Sequence, residues 1–509
     1  MIGHLVLFSW PAVVFWLFSR LHPTTALCWA IIGGYLLLPE NISYDLPALP
    51  AIEKGSVAAL SALAAAAVLA WPNRRQGNIA SGNVTILPGF VPRNRVVVML
   101  IVLMLAGILG TVATNGDPLH FELRQIPGLR PYDAGSLLLG GLITLLPFLL
   151  ARKYLASPEG QTRLLVVLAL AGLIYSLPAL YEVRMSPQIS RMIYGYFPHD
   201  WIQHIRAGGF RPVVFLPHGL WLAIFFCASF LATLSLWRLT TWPQSVRWLL
   251  ATLWMLMTLV LAKGMGALAI GIMLGGAILF LPLRLRVMTA AVLAGMILVY
   301  PMLRGADLVP TERVVSLAAS IDPDRAGSLD FRLKNEDLLL AKANEQPLFG
   351  WGSWGRNRVY DESGADISVT DGYWVLAIGM GGWIGYLANM GLLTLPLILM
   401  ALRWRRLGLT PATAGIALAL TANLIDLIPN ATLNPLTWLM AGALAGRLEL
   451  GGPKSSADED GADGPPNRKR ASPQSCSPYT RQTHRHPARS TVVALPVRGD
   501  ACLGFPLTS

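Results

Sequence analysis

Charged residues are scarce in this chain. Of its 509 residues, 54% are hydrophobic and only 13% are charged, whereas a soluble domain carries roughly 25% charged residues. The mean hydropathy is +0.52, and many apolar runs reach the roughly 17 to 25 residues that cross a bilayer as a helix. Composition therefore excludes an ordinary soluble domain. It predicts an all-α, polytopic transmembrane helical bundle, because backbone groups in lipid must be satisfied within the helices.

Cysteine is also rare, and its spacing carries no metal-binding or disulfide pattern. Cys28 and Cys227 lie in apolar runs, and Cys476 and Cys502 lie near the C-terminus, with no CxxC pair among them. Such isolated cysteines indicate neither a disulfide framework nor a zinc site. We expect no metal site and no cofactor.

The signatures of common soluble enzymes are missing as well. The sequence has no P-loop, no HExxH, no GxSxG and no dinucleotide-binding fingerprint. The apolar runs lack the ladder of acidic and basic residues that an ion-coupled transporter usually needs. The net charge of +12 is concentrated in short loops between apolar runs, which is the positive-inside pattern of membrane proteins. We therefore expect no nucleic-acid partner and place any chemistry in the bundle or its outer loops.

Hydropathy predicts about thirteen membrane spans. They are residues 4–20, 24–39, 55–71, 95–114, 133–151, 163–181, 212–237, 246–262, 264–281, 285–302, 371–401, 411–428 and 434–450. Basic residues fall in every second loop, which places those loops in the cytoplasm and the N-terminus outside.

The chain divides into three predicted regions. Residues 1–203 form N-terminal transmembrane helices, and residues 204–450 form a membrane region with a long outer loop at 303–370. The segment 451–509 is rich in Pro, Ser, Gly and Arg and is predicted to be a disordered cytoplasmic tail. This tail is either a dispensable extension or a basic segment that touches anionic membrane lipid.

Two outer loops are longer than a simple connection requires. They span residues 182–211 and 304–370, and both are rich in aromatic side chains. Loops of this length in compact domains are usually functional or disordered, and their patterning predicts folded covers over the outer mouth of the bundle. The second loop should contain a helix over 328–344, with Ser328 as its N-cap and Pro347 beyond its end.

Arginines on these outer loops are the first candidates for chemistry. The planar fork of arginine suits bidentate binding of phosphate and diphosphate, so the set predicts an anionic head group at the outer membrane surface. The members of the set are Arg206, Arg211, Arg332, Arg356 and Arg358.

Each arginine has a structural alternative. Arg211 is either a ligand or an interfacial anchor that snorkels to the headgroups. Arg332 either faces the site or pairs with Glu336 at i,i+4 on its own helix. Arg356 and Arg358 either bind substrate or stabilise a packed aromatic loop among glycines.

Two further residues carry a functional and a structural interpretation. Asp371 follows a polar link at the predicted start of a helix, where it is either an N-cap or a general base that accepts a proton from a sugar hydroxyl. His218 lies seven residues into a predicted span. A histidine inside a span is costly and often functional, so it belongs either to a structural hydrogen bond or to the site.

At this point the sequence resembles a known family. The chain has an Arg211-Pro212 entrance to a span, a long outer loop with the helical Arg332, the motif PLFGWGSWGR, and then TDGYWVLAIGMGGWIGYL before two closing spans. This order resembles the O-antigen ligase and polysaccharide polymerase superfamily of bacterial inner-membrane glycosyltransferases, most clearly over residues 200–450. The resemblance implies a GT-C-like bundle and a metal-independent, inverting transfer. A glycan would move from undecaprenyl diphosphate to an acceptor hydroxyl on the periplasmic face.

The resemblance also implies roles for individual residues. Arg211 and Arg332 match the positions that hold the donor diphosphate. Ligases commonly have a histidine where this chain has Asp371, and this departure favours an exopolysaccharide polymerase with Asp371 as the base. The residues expected to bind substrate or line the glycan path are Arg206, His218, Trp351, Trp354, Arg356, Arg358 and Trp374.

The expected partners are the lipid-linked glycan donor, a glycan or lipid acceptor, membrane lipid and other polysaccharide assembly proteins. Two other functions stay open at this stage. One is a transporter or flippase of lipid-linked glycan, and the other is a non-catalytic component of a polysaccharide export complex.

Overall fold

A computed structural model describes most of the predicted membrane region. The described residues are 2–45, 49–70, 84–198, 201–206, 208–321 and 323–451. The predicted tail therefore lies outside the described residues from position 452 onward, as does the side chain of Arg206.

Helices dominate the described ranges, as the composition predicts. The seventeen α-helices are α1 (Ile2–Arg20), α2 (Pro23–Leu37), α3 (Lys54–Ala65), α4 (Arg95–Thr114), α5 (Pro131–Tyr154), α6 (Pro158–Met185), α7 (Ile189–Tyr194), α8 (Gly219–Leu239), α9 (Gln244–Leu261), α10 (Met265–Phe280), α11 (Leu283–Gly305), α12 (Thr311–Ile321), α13 (Pro323–Asn344), α14 (Tyr373–Leu402), α15 (Trp404–Leu407), α16 (Pro411–Asp426) and α17 (Pro435–Leu450). A π-helical turn, Ala66–Ala70, continues α3, and a 3₁₀ turn covers Ile202–His204.

Two short antiparallel hairpins complete the secondary structure of the described ranges. In the first, β1 (Leu119–His120) pairs with β2 (Gln125–Ile126), and in the second, β3 (Ile205–Arg206) pairs with β4 (Gly209–Phe210). Both hairpins lie in loops between helices, so neither contributes to the bundle itself.

Eight of the described helices are long and apolar enough to cross a membrane. They are α1, α4, α5, α6, α8, α9, α11 and α14, and three shorter apolar helices accompany them. Each predicted apolar run coincides with a helix, the last two being α16 and α17 with 16 residues each. The prediction of a helical, multi-pass membrane protein is confirmed, and the number of helices that cross the membrane stays a prediction.

The centre of the bundle is formed by α8 and α16. In α8, 89% of an 18-residue apolar stretch is buried. In α16, every residue except Pro411 and Ile425 is buried. These helices pack against each other, and α6 packs against both. A helix that is apolar all round is stable only when neighbours cover it. The site described below lies where α8 begins and α16 ends, so these two central helices position it.

Gly382 breaks α14 and anchors the loop that precedes the helix. Its φ is +63°, and a Cβ there would lie 2.3 Å from the carbonyl carbon of Leu348. The Trp383 N–H donates to the Pro347 carbonyl oxygen at 2.8 Å. Only glycine combines this backbone angle with such close approach, so the break holds residues 347–350 against the helix.

The segment between α11 and α14, predicted as the long outer loop, contains two helices rather than one. The start predicted at Ser328 is wrong, because α13 begins at Pro323 and Ser328 lies inside it. Proline is favoured in the first turn of a helix, which explains the earlier start. The end at Asn344 agrees with the prediction, and α12 was not predicted.

Candidate active site

An ion pair joins α13 to the link before α14. Arg332 Nε lies 3.6 Å from Asp371 Oδ2, and the two side chains are 36% and 28% exposed. Arg332 Nη1 also donates to the Pro429 carbonyl oxygen at 3.3 Å. Arg332 therefore pairs with Asp371 and not with Glu336, the partner expected from i,i+4 spacing.

The carboxylate of Asp371 does not cap the following helix. Helix α14 begins at Tyr373 with Gly372 as its N-cap and no side-chain capping hydrogen bond. The Tyr373 N–H instead donates to the Leu427 carbonyl oxygen at 3.0 Å. The N-cap interpretation of Asp371 is wrong. A backbone carbonyl at the end of α16 accepts the hydrogen bond from the start of α14, and the Asp371 carboxylate pairs with Arg332 instead.

A cavity of about 690 Å³ brings the two predicted diphosphate ligands together. We call it the arginine cavity, and it is lined by Arg211, Lys263, Arg332, Asp426, Pro429 and Asn430, with apolar walls from α8, α9 and α10. Arg211 and Arg332 are far apart in sequence, and they reach the cavity from different segments between helices. That one site binds a diphosphate through both arginines stays a prediction.

Arg211 is folded back over the start of α8. Its backbone N–H donates to the His204 carbonyl oxygen at 2.8 Å, and its Nη2 donates to the Lys263 carbonyl oxygen at 3.2 Å. A Cβ at Gly219 would lie 2.3 Å from Arg211 Cδ, so the glycine makes room for the arginine stem. The role of Arg211 as a diphosphate ligand stays a prediction.

His218 is the N-cap of α8 and precedes the helix rather than lying inside it. The helix begins at Gly219 rather than at residue 212, and His218 Nδ1 accepts the Leu220 N–H at 3.1 Å. Pro212 and Pro217 explain the late start, because the residue before a proline disfavours helix. The His218 ring packs 4.9 Å from that of His204, centroid to centroid. Its role toward substrate stays a prediction.

Two cavity residues were missed by the sequence analysis. The buried Asp426 carboxylate ends α16, accepting the Thr432 hydroxyl at 2.6 Å and the Asn430 amide at 2.9 Å. These bonds hold the turn whose Pro429 carbonyl binds Arg332. Lys263 lies at the corner between α9 and α10. Two features of the sequence could have indicated these residues. One is an acidic residue at the end of an apolar helix, and the other is a Lys-Gly corner between two predicted spans.

Glu336 is a buried acid beside the ion pair. Glu336 is only 5% exposed, so its carboxyl group is shielded from solvent. Burial raises the pKa of Glu336 to about 7, an effect that Trp374 and Arg304 oppose and that Asp337 and Asp371 reinforce. A carboxyl group in such surroundings holds its proton near neutrality.

Arg356 is enclosed by protein acceptors. It is 2% exposed, and its guanidinium donates to the carbonyl oxygens of Trp351 at 3.2 Å, Pro127 at 2.9 Å and Asp117 at 3.1 Å, and to Asn115 Oδ1 at 3.4 Å. These bonds tie the turn at residues 350–356 (GWGSWGR), which we call the Gly/Trp turn, to the loop after α4. The geometry favours the packing alternative for Arg356.

The remaining predicted residues differ in their exposure. Arg358 is 42% exposed on its side chain and pairs with Asp366. Trp354 is 59% exposed. Trp374 is fully buried and packs edge-on against Tyr300 with ring centroids 5.4 Å apart. The prediction that Trp374 lines a substrate path is therefore wrong, because its neighbours cover the whole ring.

The chain was also compared with known proteins. No protein-family model matches the sequence, and a search of curated proteins found no similar sequence. Within the described residues, no group of three or more His, Cys, Asp or Glu side chains is arranged to hold a metal ion. The function is therefore argued from the quoted motifs and from the geometry of the arginine cavity.

Proposed function

We propose that this chain is an integral membrane glycosyltransferase of the bacterial inner membrane. It would move a glycan from undecaprenyl diphosphate to an acceptor hydroxyl on the periplasmic face, in polymerisation or ligation of a surface polysaccharide. The observation that carries the proposal is the shared cavity of Arg211 and Arg332, with Asp371 ion-paired to Arg332.

The cation set matches the leaving group of this reaction. Cleavage of the glycosyl–phosphate bond leaves a lipid diphosphate whose negative charge grows in the transition state. Guanidinium groups placed in advance around that charge lower the barrier without reorganising. Arg211 precedes the start of α8 and Arg332 lies on α13. Two separate segments of the chain therefore each contribute one guanidinium group to the cavity.

Asp371 is the candidate base. In the proposed step, the acceptor oxygen forms a bond to the anomeric carbon while the bond to the diphosphate oxygen breaks. The diphosphate leaves with the electron pair, and the hydroxyl proton passes to the Asp371 carboxylate. A carboxylate within hydrogen-bond reach of the hydroxyl is a suitable acceptor. The partial exposure of Asp371 leaves it open to such a hydroxyl.

The apolar walls of the arginine cavity suit the lipid carrier. Leu220, Val260, Met265 and Ala267 line it together with the cations, and all four lie on helices that begin or end at this side of the bundle. A polyprenyl chain needs an apolar surface directly beside its diphosphate. The cavity supplies both kinds of surface in one place.

The deciding experiment uses purified protein in lipid with radiolabelled undecaprenyl diphosphate oligosaccharide and an acceptor glycan. We expect release of undecaprenyl diphosphate and a longer glycan, in the presence of EDTA. Arg332→Ala should abolish the release, whereas Lys334→Ala should not. Lys334 is the matched control because it lies on the same helix, is 74% exposed on its side chain and pairs with Asp330.

Three results would contradict the proposal. Normal turnover in Arg332→Ala would remove the arginine from the mechanism, and strict dependence on a divalent metal would contradict a metal-independent reaction. Movement of intact donor between leaflets without release of diphosphate would instead indicate a flippase.

A further inference from the structure

Glu182 is a buried acid near the end of α6. It is 1% exposed, and an acidic side chain on an apolar helix of a membrane protein is costly and often functional. A buried carboxyl group needs hydrogen-bond donors around it. The donors to Glu182 are backbone N–H groups from the chain between α6 and α8, so this acid helps to set the shape of that part of the chain.

Three backbone N–H groups donate to Glu182. Those of Val213 and Val214 donate to Oε2 at 2.8 Å each, and that of Ile189 donates to Oε1 at 2.9 Å. Val214 is buried and has a backbone φ of +57°. A β-branched residue in this left-handed region is strained and persists only where its surroundings hold it. The Glu182 carboxyl group is one of the contacts that hold it.

Tyr175 holds the next residue of the same segment. It lies seven residues before Glu182 on α6, and residues seven apart lie on the same side of a helix. The Phe215 N–H donates to Tyr175 Oη at 3.1 Å, and the Tyr175 hydroxyl donates to the Leu36 carbonyl oxygen at 2.9 Å. Two side chains of α6 therefore accept hydrogen bonds from three consecutive residues, 213–215, which we call the anchored segment.

Arg211 is separated from the anchored segment by one residue. That residue is Pro212, whose ring fixes its φ, so the connection between Val213 and Arg211 is stiff. On its other side, the Arg211 N–H donates to the His204 carbonyl oxygen at 2.8 Å. A side chain whose position is fixed in advance loses less entropy when it binds a ligand. Glu182 thus contributes to the position from which Arg211 lines the arginine cavity.

We propose that Glu182 is a positioning residue for the lipid diphosphate site and acts through Arg211. It holds the backbone that presents the guanidinium group, and the diphosphate contacts Arg211. This inference rests on the proposed function, because it takes Arg211 as a ligand of the lipid diphosphate. It assigns a role to an acid that neither the motifs nor the family resemblance assigns.

The test measures equilibrium binding of undecaprenyl diphosphate to the full chain in nanodiscs. Glu182→Gln keeps the size of the side chain, replaces one acceptor oxygen with an amide donor, and should weaken binding by about fivefold. Glu182→Leu removes both acceptors and should weaken binding by about tenfold or more. When Arg211→Met has already removed the guanidinium group, Glu182→Gln should change the affinity by less than about twofold, because residues that act through one contact are not additive.

Gln161→Met is the matched control. Gln161 is fully buried on the same helix, accepts the Thr413 hydroxyl and donates to the Ala443 carbonyl oxygen. It lies roughly 30 Å from Glu182 along the helix axis, at 1.5 Å per residue. Its replacement should lower the midpoint of thermal unfolding and leave the affinity per folded molecule unchanged. If Glu182 only stabilised the fold, Glu182→Gln would show this same pattern.

Two results would overturn the inference. One is an unchanged affinity per folded molecule in both Glu182 variants, and the other is an equally large loss from Glu182→Gln with and without Arg211→Met. If Glu182→Leu fails to fold, Glu182→Gln alone and combined with Arg211→Met decides the question.

Failure of the proposed function gives a different result. Wild-type affinity in Arg211→Met would contradict Arg211 as a diphosphate ligand, and the proposed function would lose that ligand together with the inference. Weak binding in Arg211→Met beside wild-type binding in both Glu182 variants would contradict only the role of Glu182.

Discussion

Arg332 and Asp371 meet across the boundary between α13 and the start of α14, with Arg332 Nε 3.6 Å from Asp371 Oδ2. Both side chains are partly exposed, and exposed ion pairs contribute only about 0–1 kcal/mol to stability. The pair is therefore better suited to chemistry than to holding the fold. An anionic ligand that approaches Arg332 competes with Asp371 for the guanidinium and leaves the carboxylate available to a hydroxyl.

Replacing Asp371 by asparagine should separate catalysis from binding. Loss of a general base typically lowers turnover by about 10²–10⁴-fold. Donor binding should be retained or become tighter, because the variant removes the carboxylate that competes for Arg332. Single-turnover release of lipid diphosphate and equilibrium binding of the donor measure the two effects.

Asp330→Asn is the control for this prediction. Asp330 is an exposed acid on α13 that pairs with Lys334 at 2.6 Å, so its removal should leave turnover unchanged. If Asp371→Asn turned over at the wild-type rate, Asp371 would have no role as a base.

Arg356 should behave as a structural residue. Arg356→Met removes four hydrogen bonds, one of them to the buried side-chain amide of Asn115, and an unsatisfied buried group costs about 1–3 kcal/mol. We expect a lower midpoint of thermal unfolding in detergent, with lipid diphosphate binding unchanged per folded molecule. Arg332→Met should show the opposite pattern, with weak binding and nearly unchanged stability. Loss of binding without loss of stability in Arg356→Met would restore the ligand interpretation.

The helices were predictable because an apolar run in lipid satisfies all its backbone hydrogen bonds within itself by forming an α-helix. Helix starts were not, since they depend on local caps: Pro323 moved the start of α13 forward, and Pro217 and His218 delayed that of α8. The sequence alone does not show whether a helix begins at a proline, at a capping residue or at another position next to the preceding loop.

The two cavity arginines were predictable because both lie in the two long loops that were predicted to face outward. Lys263 and Asp426 were not, because the cavity arises where the α9–α10 corner and the end of α16 pack together. The packing role of Arg356 was not predictable either, because its hydrogen-bond acceptors Asn115, Asp117 and Pro127 lie in a different loop. Tertiary contacts between distant segments decide which arginine is available to a ligand.

Trp354 in the Gly/Trp turn and Trp374 on α14 should respond differently to truncation. Trp354 is 59% exposed and has a backbone φ of +55°, an unusual combination for a bulky residue. Trp354→Ala should raise KM for the acceptor glycan with little change in thermal stability. Trp374→Ala should cost about 3–5 kcal/mol, as expected for truncating a fully buried aromatic side chain.

Steady-state kinetics and thermal unfolding of both variants check these expectations. An unchanged KM in Trp354→Ala would indicate that the exposed ring does not contact the glycan. Full thermal stability in Trp374→Ala would be incompatible with its complete burial.

Glu336 should make the stability of the protein depend on pH. Burial raises its pKa from an ordinary value of 4.5 to about 7, so the folded state keeps a proton that the unfolded state loses. The stabilisation is fully present below about pH 4.5 and is lost as pH rises toward about 7, by up to about 3 kcal/mol.

Burial is the main cause of this effect, and the groups that face Glu336 adjust its size. Arg304 and Tyr300 approach it from α11, Asp337 is its neighbour on α13, and Asp371 belongs to the link before α14. Glutamine resembles the protonated acid, so Glu336→Gln should unfold at the wild-type temperature near pH 5 and above it near pH 7.5. Glu345→Gln, at an exposed position of the same loop, should follow the wild-type curve. Parallel curves for Glu336→Gln and the wild-type protein would mean that Glu336 is ionised in the folded state throughout this range.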